Sequence, residues 1–330
     1  MKDVYKDVDC DISIIKDKII SVIGYGIQGR AQSLNLRDSG ANVIIGNIDD
    51  KYKKIANNDG FEVLSIKESV LRSDIILFLI PDESQSYIFD KYIRNNLSDN
   101  NLIIFAHGYS IRFNKISLPE GVDFGLLAPR FPGEPIRNNY LNNKGVPAFI
   151  DIIQDSSGET LSKLIAVGSL IGYGRVGMLP VSYIHETELD LFIEHFIGPL
   201  FIGAIEKSLY FLTKNGYSDV SSALELYLSG ERGSMWTAYA RNGLFSALND
   251  NASPTCKFGI SSYYNETFND QLDKQMKIVL DSIKNGTFAK KLEREEKNGY
   301  VNVSKFFQDK KNSKMSKAEL KVKELLTEFL

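Results

Sequence analysis

The stretch Ile19-Ile20-Ser21-Val22-Ile23-Gly24-Tyr25-Gly26-Ile27-Gln28-Gly29 decides how the chain is read. Its apolar, largely β-branched first half predicts a buried parallel strand. The strand stops at three glycines in G-x-G-x-x-G spacing, which permit a tight turn, close approach of the backbone to a pyrophosphate, and close packing of the next helix. Residues 30–40 read as that helix, ending on Gly40 as a C-terminal cap. Its N-terminus directs unpaired N–H groups and a partial positive charge at a phosphate. A second strand, Asn42-Val43-Ile44-Ile45-Gly46, ends beside Asn47, Asp49 and Asp50, and Asp49 lies 20 residues after Gly29. A carboxylate at that spacing can accept hydrogen bonds from ribose hydroxyls. The three parts in register predict a dinucleotide site built on Gly24, Tyr25, Gly26, Ile27, Gln28, Gly29, Asn47, Asp49 and Asp50.

The alternation of strands and helices continues. Phe61–Ser65 is a short strand candidate whose Ser65 can cap a helix through Leu71. Asp74–Ile80 ends at Pro81-Asp82, Asn101–Ala106 runs into His107, and Asp123–Ala128 meets Pro129-Arg130-Phe131-Pro132-Gly133. Val146–Ile153 closes the series. This pattern predicts an α/β Rossmann fold, a doubly wound parallel sheet. In such sheets ligands bind beyond the C-terminal strand ends. Gly24, Asp49, Pro81, His107 and Arg130 should therefore gather along one rim.

From about Tyr183 the pattern changes to long helical stretches, so we expect a Rossmann domain over 1–181 and an all-α domain over 182–330. Leu189, Phe192, Ile193 and Phe196 follow helical spacing and predict a buried stripe. Asp190 and Glu194 stand four residues apart on its shoulder. Paired carboxylates repel on a solvated helix and suit a hard cation such as Mg²⁺; a solvated acidic face is the plainer reading of that spacing. The Lys- and Glu-rich end, from about residue 290, reads as a solvated helical tail.

Composition narrows the class. With 43% hydrophobic and 25% charged residues and a net charge of -3, the chain reads as globular, with no general attraction to nucleic acid or membrane. Cys10 and Cys256, the two cysteines, have no metal-binding spacing. The absence of an apolar leader or an 18-residue apolar run leads us to expect a cytoplasmic protein.

These residues carry a resemblance that spans essentially the whole chain. Gly24–Gly29, Leu34–Gly40, Ile80–Glu83, Phe105–Gly108, Ala128-Pro129, Gly145–Ala148, Glu186–Phe192 and Gly286–Ala289 together resemble the short-form ketol-acid reductoisomerases. The resemblance implies a Rossmann domain followed by a knotted helical domain, and a homodimer or higher homo-oligomer whose helical domains complete each site. It implies Mg²⁺, a nicotinamide cofactor, and a small-molecule substrate, a 2-acetohydroxy acid whose alkyl group shifts before its ketone is reduced. It further implies His107 and Arg130 as catalytic residues, Pro81, Asp82 and Gly133 at the cofactor, and Asp190 and Glu194 at the metal. Glu225 matches a metal carboxylate that the family supplies from the partner subunit.

Departures from the family pattern shape the functional expectation. Where the family has a second carboxylate after the one at Glu225, this chain has Ser229, and Glu231 would face another side of a continuous helix. Arg130-Phe131 replaces a lysine and a glycine, which is not conservative. The family's substrate-binding serine falls near Leu248. Alkyl migration needs two cations on the substrate oxygens, whereas hydride delivery needs a nicotinamide and one acid or electrophile. We therefore expect a divergent NAD(P)H-dependent reductase of a small 2-keto acid or imine, with the second metal site impaired and the isomerase step lost. The alternatives are an authentic Mg²⁺-dependent ketol-acid reductoisomerase and a non-catalytic cofactor-binding protein. The aspartate at position 49 favours NADH over NADPH, because a carboxylate repels a 2′-phosphate.

Overall fold

The computed structural model describes residues 2–267 and 270–326, so positions 268–269 and 327–330 of the expected helical domain lie outside the described residues. The chain forms two compact units, Met1–Leu189 and Asp190–Leu330.

In the first unit, β1 (Ile19–Ile23), β2 (Asn42–Gly46), β3 (Glu62–Leu64), β4 (Ile75–Phe78), β5 (Leu102–Phe105), β6 (Asp123–Pro129), β7 (Ala148–Gln154) and β8 (Met178–Pro180) make one sheet. Its order is β3-β2-β1-β4-β5-β6-β7-β8. The connecting helices are α1 (Ile27–Asp38), α2 (Lys51–Asn58), α3 (Ile66–Arg72), α4 (Asp82–Ile88), α5 (Tyr109–Arg112), α6 (Gly133–Leu141) and α7 (Thr160–Ile171), and α8 (Tyr183–Phe192) leads out of the unit. Alternate residues of each strand feed two cores, one per face. Ile20, Val22, Leu77, Ile104 and Ile150 enter one, and Ile23, Phe78, Ile103, Phe105 and Phe124 the other. Both faces are covered, which is why these strands read as unbroken apolar runs.

Local signals act as expected. Ser65 and Glu68 form a reciprocal capping box at the start of α3. After α1, Gly40 takes the left-handed φ of +87°. A Cβ on Gly29 would lie 1.9 Å from the Gly24 carbonyl oxygen, so only glycine lets α1 pack this closely on the β1 turn.

β1 to β6 are parallel, but β7 runs antiparallel to β6, pairing Ala148 with Pro129 and Gln154 with Phe124. The expected all-parallel series therefore ends one strand early. The loop after α6 returns the chain to the end where β6 finishes, and the Arg130 N–H donates to the Pro147 carbonyl there (3.0 Å). From that point the strand can only run back.

The second unit is helical: α9 (Gly198–Lys214), α10 (Asp219–Ala223), α11 (Glu231–Asn242), α12 (Leu244–Asn251), α13 (Pro254–Thr267), α14 (Asp270–Lys284), α15 (Thr287–Lys297), α16 (Val301–Lys311) and α17 (Lys314–Leu325). Two sequence expectations are corrected here. The stripe through Leu189 and Ile193 is not buried; these two are 52% and 54% exposed, while Leu191 and Phe196 are buried. Leu189 and Ile193, four residues apart, share one exposed helical face, and a π-helical turn over Ile193–Ile197 follows. The tail is not solvated throughout, because Ala318 and Val322 of α17 pack with Leu209 and Ala223 in a buried cluster. Among the described residues, no helix is long and apolar enough to cross a membrane.

Candidate active site

The phosphate loop leaves β1 at Gly24, whose φ is +93°. A Cβ there would collide with the Leu79 carbonyl oxygen at 2.8 Å, whereas one on Gly26 would meet nothing within 4 Å. Gly26 precedes the first turn of α1, so backbone faces open space where a helix N-terminus can hold a phosphate. Gln28 ties this loop to the one after β6, its amide donating to the Phe131 carbonyl (3.0 Å). A Cβ on Gly133 would strike the Ile27 carbonyl oxygen at 1.9 Å. The two loops thus sit in close contact, and these residues fit a dinucleotide. Tyr25 can offer a ligand only its backbone, since its side chain is buried and its hydroxyl donates to Asp59 (2.9 Å).

Past β2, the Asn47 amide oxygen accepts the Tyr25 N–H (3.3 Å), and its NH₂ donates to Asp50 (2.8 Å). Asp50 caps α2 by accepting the Tyr52 and Lys53 amides. Asp49 is different: its side chain is 91% exposed, with the Lys53 ammonium 3.3 Å away. Asp49, Lys53, Ser65, Lys67 and Tyr92 line a groove of about 660 Å³. At the next strand end, Pro81 precedes α4 and Asp82 accepts the Gln85 amide (3.1 Å).

The chemistry-bearing cluster lies past β5 and β6. The Nδ1 atom of His107 lies 3.1 and 3.2 Å from the two carboxylate oxygens of Glu186. That carboxylate, on α8, is fully buried and also accepts the Gly108 N–H (2.9 Å) and the Arg130 guanidinium (2.8 Å). Burial alone would push its carboxyl up, but the hydrogen bond and charge of His107, the Gly108 N–H and the Arg130 guanidinium together hold it below the usual carboxylate range. An ionised carboxylate only accepts, so the proton of the His107–Glu186 contact sits on Nδ1. Tyr109 stacks beside the imidazole, with ring centroids 6.3 Å apart. The Arg130 guanidinium lies over the Phe149 ring, 4.6 Å from its centroid. A Cβ on Gly108 would strike the Thr187 hydroxyl at 2.5 Å, so glycine is required for α8 to dock here. Arg112 and Glu188 add an ion pair between α5 and α8 (2.8 Å).

Sequence reasoning missed the role of Glu186. It stands four residues before Asp190 and eight before Glu194, so a third carboxylate at helical spacing was the available signal. Phe149, Asp151 and Arg112 carried none.

The expected metal residues fall in the second unit. Asp190 lies near the end of α8 and is half-buried; Glu194 and Glu225 are exposed, each within a π-helical turn, Ile193–Ile197 and Leu224–Leu228. Such turns are often found at functional sites. The continuous helix assumed through Ser229 and Glu231 is not present: Gly230 takes a φ of +76° and α11 begins at Glu231. Among the described residues, no three His, Cys, Asp or Glu side chains gather closely enough to hold a metal ion. The described residues of one chain therefore make no cage fit for Mg²⁺.

Comparison with known proteins places the chain. Residues 14–177 match the family model described as "Acetohydroxy acid isomeroreductase, NADPH-binding domain", and residues 183–328 match "Ketol-acid reductoisomerase, C-terminal domain". It is 33% identical over 317 residues to a ketol-acid reductoisomerase (NADP(+)) of Caldivirga maquilingensis, covering 96% of this chain and 95% of that one. A second such enzyme, from Pyrobaculum aerophilum, is 34% identical over 99% of each chain. The solved structure of an NADH-preferring ketol-acid reductoisomerase from an uncultured archaeon superposes with a TM-score of 0.93, at 29% identity, over 98% of this chain and 99% of that one. A semialdehyde dehydrogenase NAD-binding protein from Cupriavidus necator, 14% identical with a TM-score of 0.63, covers 82% of this chain and 99% of its own, and shares the fold alone. By both of its matched domains and its full-length relatives, the chain belongs to the ketol-acid reductoisomerase family of nicotinamide-dependent oxidoreductases.

Proposed function

We propose that the chain reduces a small 2-keto acid or imine with a nicotinamide cofactor, and that the alkyl-migration step of its family is lost or slow. The observation that carries this reading is the His107–Glu186–Arg130 cluster at the strand ends. The bound cofactor would supply hydride. Glu186 fixes the tautomer of His107, leaving Nε2 as the nitrogen that exchanges a proton with the substrate. Arg130, held by Glu186 and Phe149, stabilises negative charge developing on the reduced oxygen. Ser229, where the family carries a carboxylate, is a poor ligand for a divalent cation and motivates the loss of migration.

We assign cofactor binding to residues 1–181 and metal binding and self-association to 182–330, as a homodimer or larger assembly. NADH is the preferred cofactor on this reading. Support comes from the exposed Asp49 and from the NADH preference stated for the similar archaeal enzyme.

A second reading is an authentic Mg²⁺-dependent isomeroreductase of a 2-acetohydroxy acid. Full-length identity to enzymes of that name favours it, as do the retained Asp190 and Glu194. The two readings separate in one assay: the purified chain with 2-acetolactate or simple 2-keto acids, NADH or NADPH, and with or without Mg²⁺.

A further inference from the structure

We infer that Phe149 and Asp151, two residues apart on one face of β7, are positioning residues that together set the contact between Arg130 and Glu186. Residues i and i+2 of a strand project to the same side. The Ile150 side chain between them enters the opposite core, while Phe149 and Ile153 pack on the other face of the sheet.

Each residue holds one partner of the ion pair. The Phe149 ring lies beneath the Arg130 guanidinium, where a cation is attracted to the aromatic face. The Asp151 carboxylate accepts the Tyr183 N–H at 2.8 Å. Tyr183 is the first residue of α8, so its N–H is one of the four that a helix leaves unpaired at its start, and a carboxylate there also complements the helix dipole. Glu186 follows three residues later, within the same turn, and its N–H bonds back to the Ser182 carbonyl (2.8 Å). Holding Tyr183 therefore holds Glu186.

An aspartate is an expensive residue for this position. Burial pushes the Asp151 carboxyl up, with the Tyr183 and Ile152 amides only partly opposing it. A valine or isoleucine would suit the strand and avoid the desolvation. The carboxylate is explained by what it accepts, the first amide of the helix that delivers Glu186 to Arg130 and His107.

The inference deepens the reductase reading, and its test has an arm that needs no substrate. The chain has three histidines, so selective ¹⁵N-histidine labelling of the full-length protein gives a simple spectrum in which His107→Asn identifies the His107 signals. Wild type should show an exchange-protected Nδ1–H resonance. Asp151→Ala should lose it, and Asp151→Asn, which keeps an acceptor for Tyr183, should retain it. With any substrate that is turned over, Asp151→Ala and Phe149→Leu should each lower kcat about tenfold with the cofactor dissociation constant unchanged, while Asp151→Asn stays near wild type. Should Asp151→Ala fail to fold, Asp151→Val, which suits a strand, takes its place with the same expectations, and Phe149→Leu stands independently. The inference is overturned if the alanine or valine variant keeps the protected resonance, if the asparagine variant loses it, or if Phe149→Leu turns over like wild type. Failure of the reductase reading looks different: wild type keeps the resonance and reduces nothing.

Discussion

The Nδ1 atom of His107 sits 3.1 Å from a carboxylate oxygen of Glu186, although the two residues are 79 positions apart in sequence and the carboxylate has no contact with solvent. A buried carboxylate survives only when its lone pairs are met, and here an imidazole, a backbone amide and a guanidinium meet them. The same carboxylate joins the imidazole to the arginine, so disturbing it should affect chemistry and stability together.

Glu186→Gln is expected to lower kcat by about 10²-fold or more, because an amide neither fixes the His107 tautomer nor balances Arg130. It should destabilise the fold by about 3–5 kcal/mol, the scale for breaking a buried ion pair. Steady-state kinetics and denaturant unfolding measure the two effects.

The pH dependence has a definite sign. The folded-state pKa of Glu186 is lowered, so its stabilising contribution is complete above the unfolded carboxylate value of about 4.3 and is lost as pH falls through the folded value. Thermal unfolding of wild type and Glu186→Gln should differ most at neutral pH and converge on acidification below about pH 4. A gap that stays constant on acidification would contradict the assignment.

Two glycines of the phosphate-binding motif should behave oppositely. Gly29→Ala places a Cβ 1.9 Å from the Gly24 carbonyl oxygen and should destabilise the protein by about 1–3 kcal/mol. Gly26→Ala meets open space, so its stability should stay within about 0.5 kcal/mol of wild type. Its cofactor affinity should fall, because the added methyl occupies the approach to the pyrophosphate. Unfolding midpoints and cofactor titrations check both.

Asp49 should set cofactor preference. Wild type is expected to bind NADH about tenfold tighter than NADPH, the scale of one charge-assisted hydrogen-bond difference. The ion pair with Lys53 involves an aspartate that is 91% exposed, so it opposes this only weakly. Asp49→Ser should bring the two dissociation constants together or reverse them. Tighter NADPH binding by wild type, or an unchanged ratio in the variant, would remove Asp49 from this role.

Much of the Rossmann unit was legible because its signals are local. Buried parallel strands announce themselves as apolar runs, Ser65 and Glu68 cap a helix from three residues apart, and His107 stands out by following a strand. What escaped depends on relations between distant segments or on which face of a helix the fold covers. The direction of β7 is set by the loop that delivers Ala148 beside Pro129. Leu189 and Ile193 share one helical face, and apolar spacing alone does not say which face the fold covers. Gly230 looks innocuous in sequence, yet its left-handed backbone ends one helix and starts another, removing the argument that Glu231 must face away from Glu225. In α17, Met315, Ala318 and Val322 stand at i, i+3 and i+7, a helical stripe that packs in the buried cluster, but the lysines and glutamates around it dominate the composition and suggest a solvated tail. Glu186 was hidden because its role exists only once α8 docks against Gly108.

On the proposed reading, this chain retains reduction and has lost efficient migration. The most direct measurement is the rate of NADH oxidation by the purified, full-length protein at saturating Mg²⁺, with 2-acetolactate and with a series of simple 2-keto acids compared side by side. We expect turnover of at least one 2-keto acid that falls about 10²-fold or more in His107→Asn, with 2-acetolactate consumed slowly or not at all. Rapid, Mg²⁺-dependent consumption of 2-acetolactate would contradict the claim and establish the chain as an isomeroreductase despite Ser229.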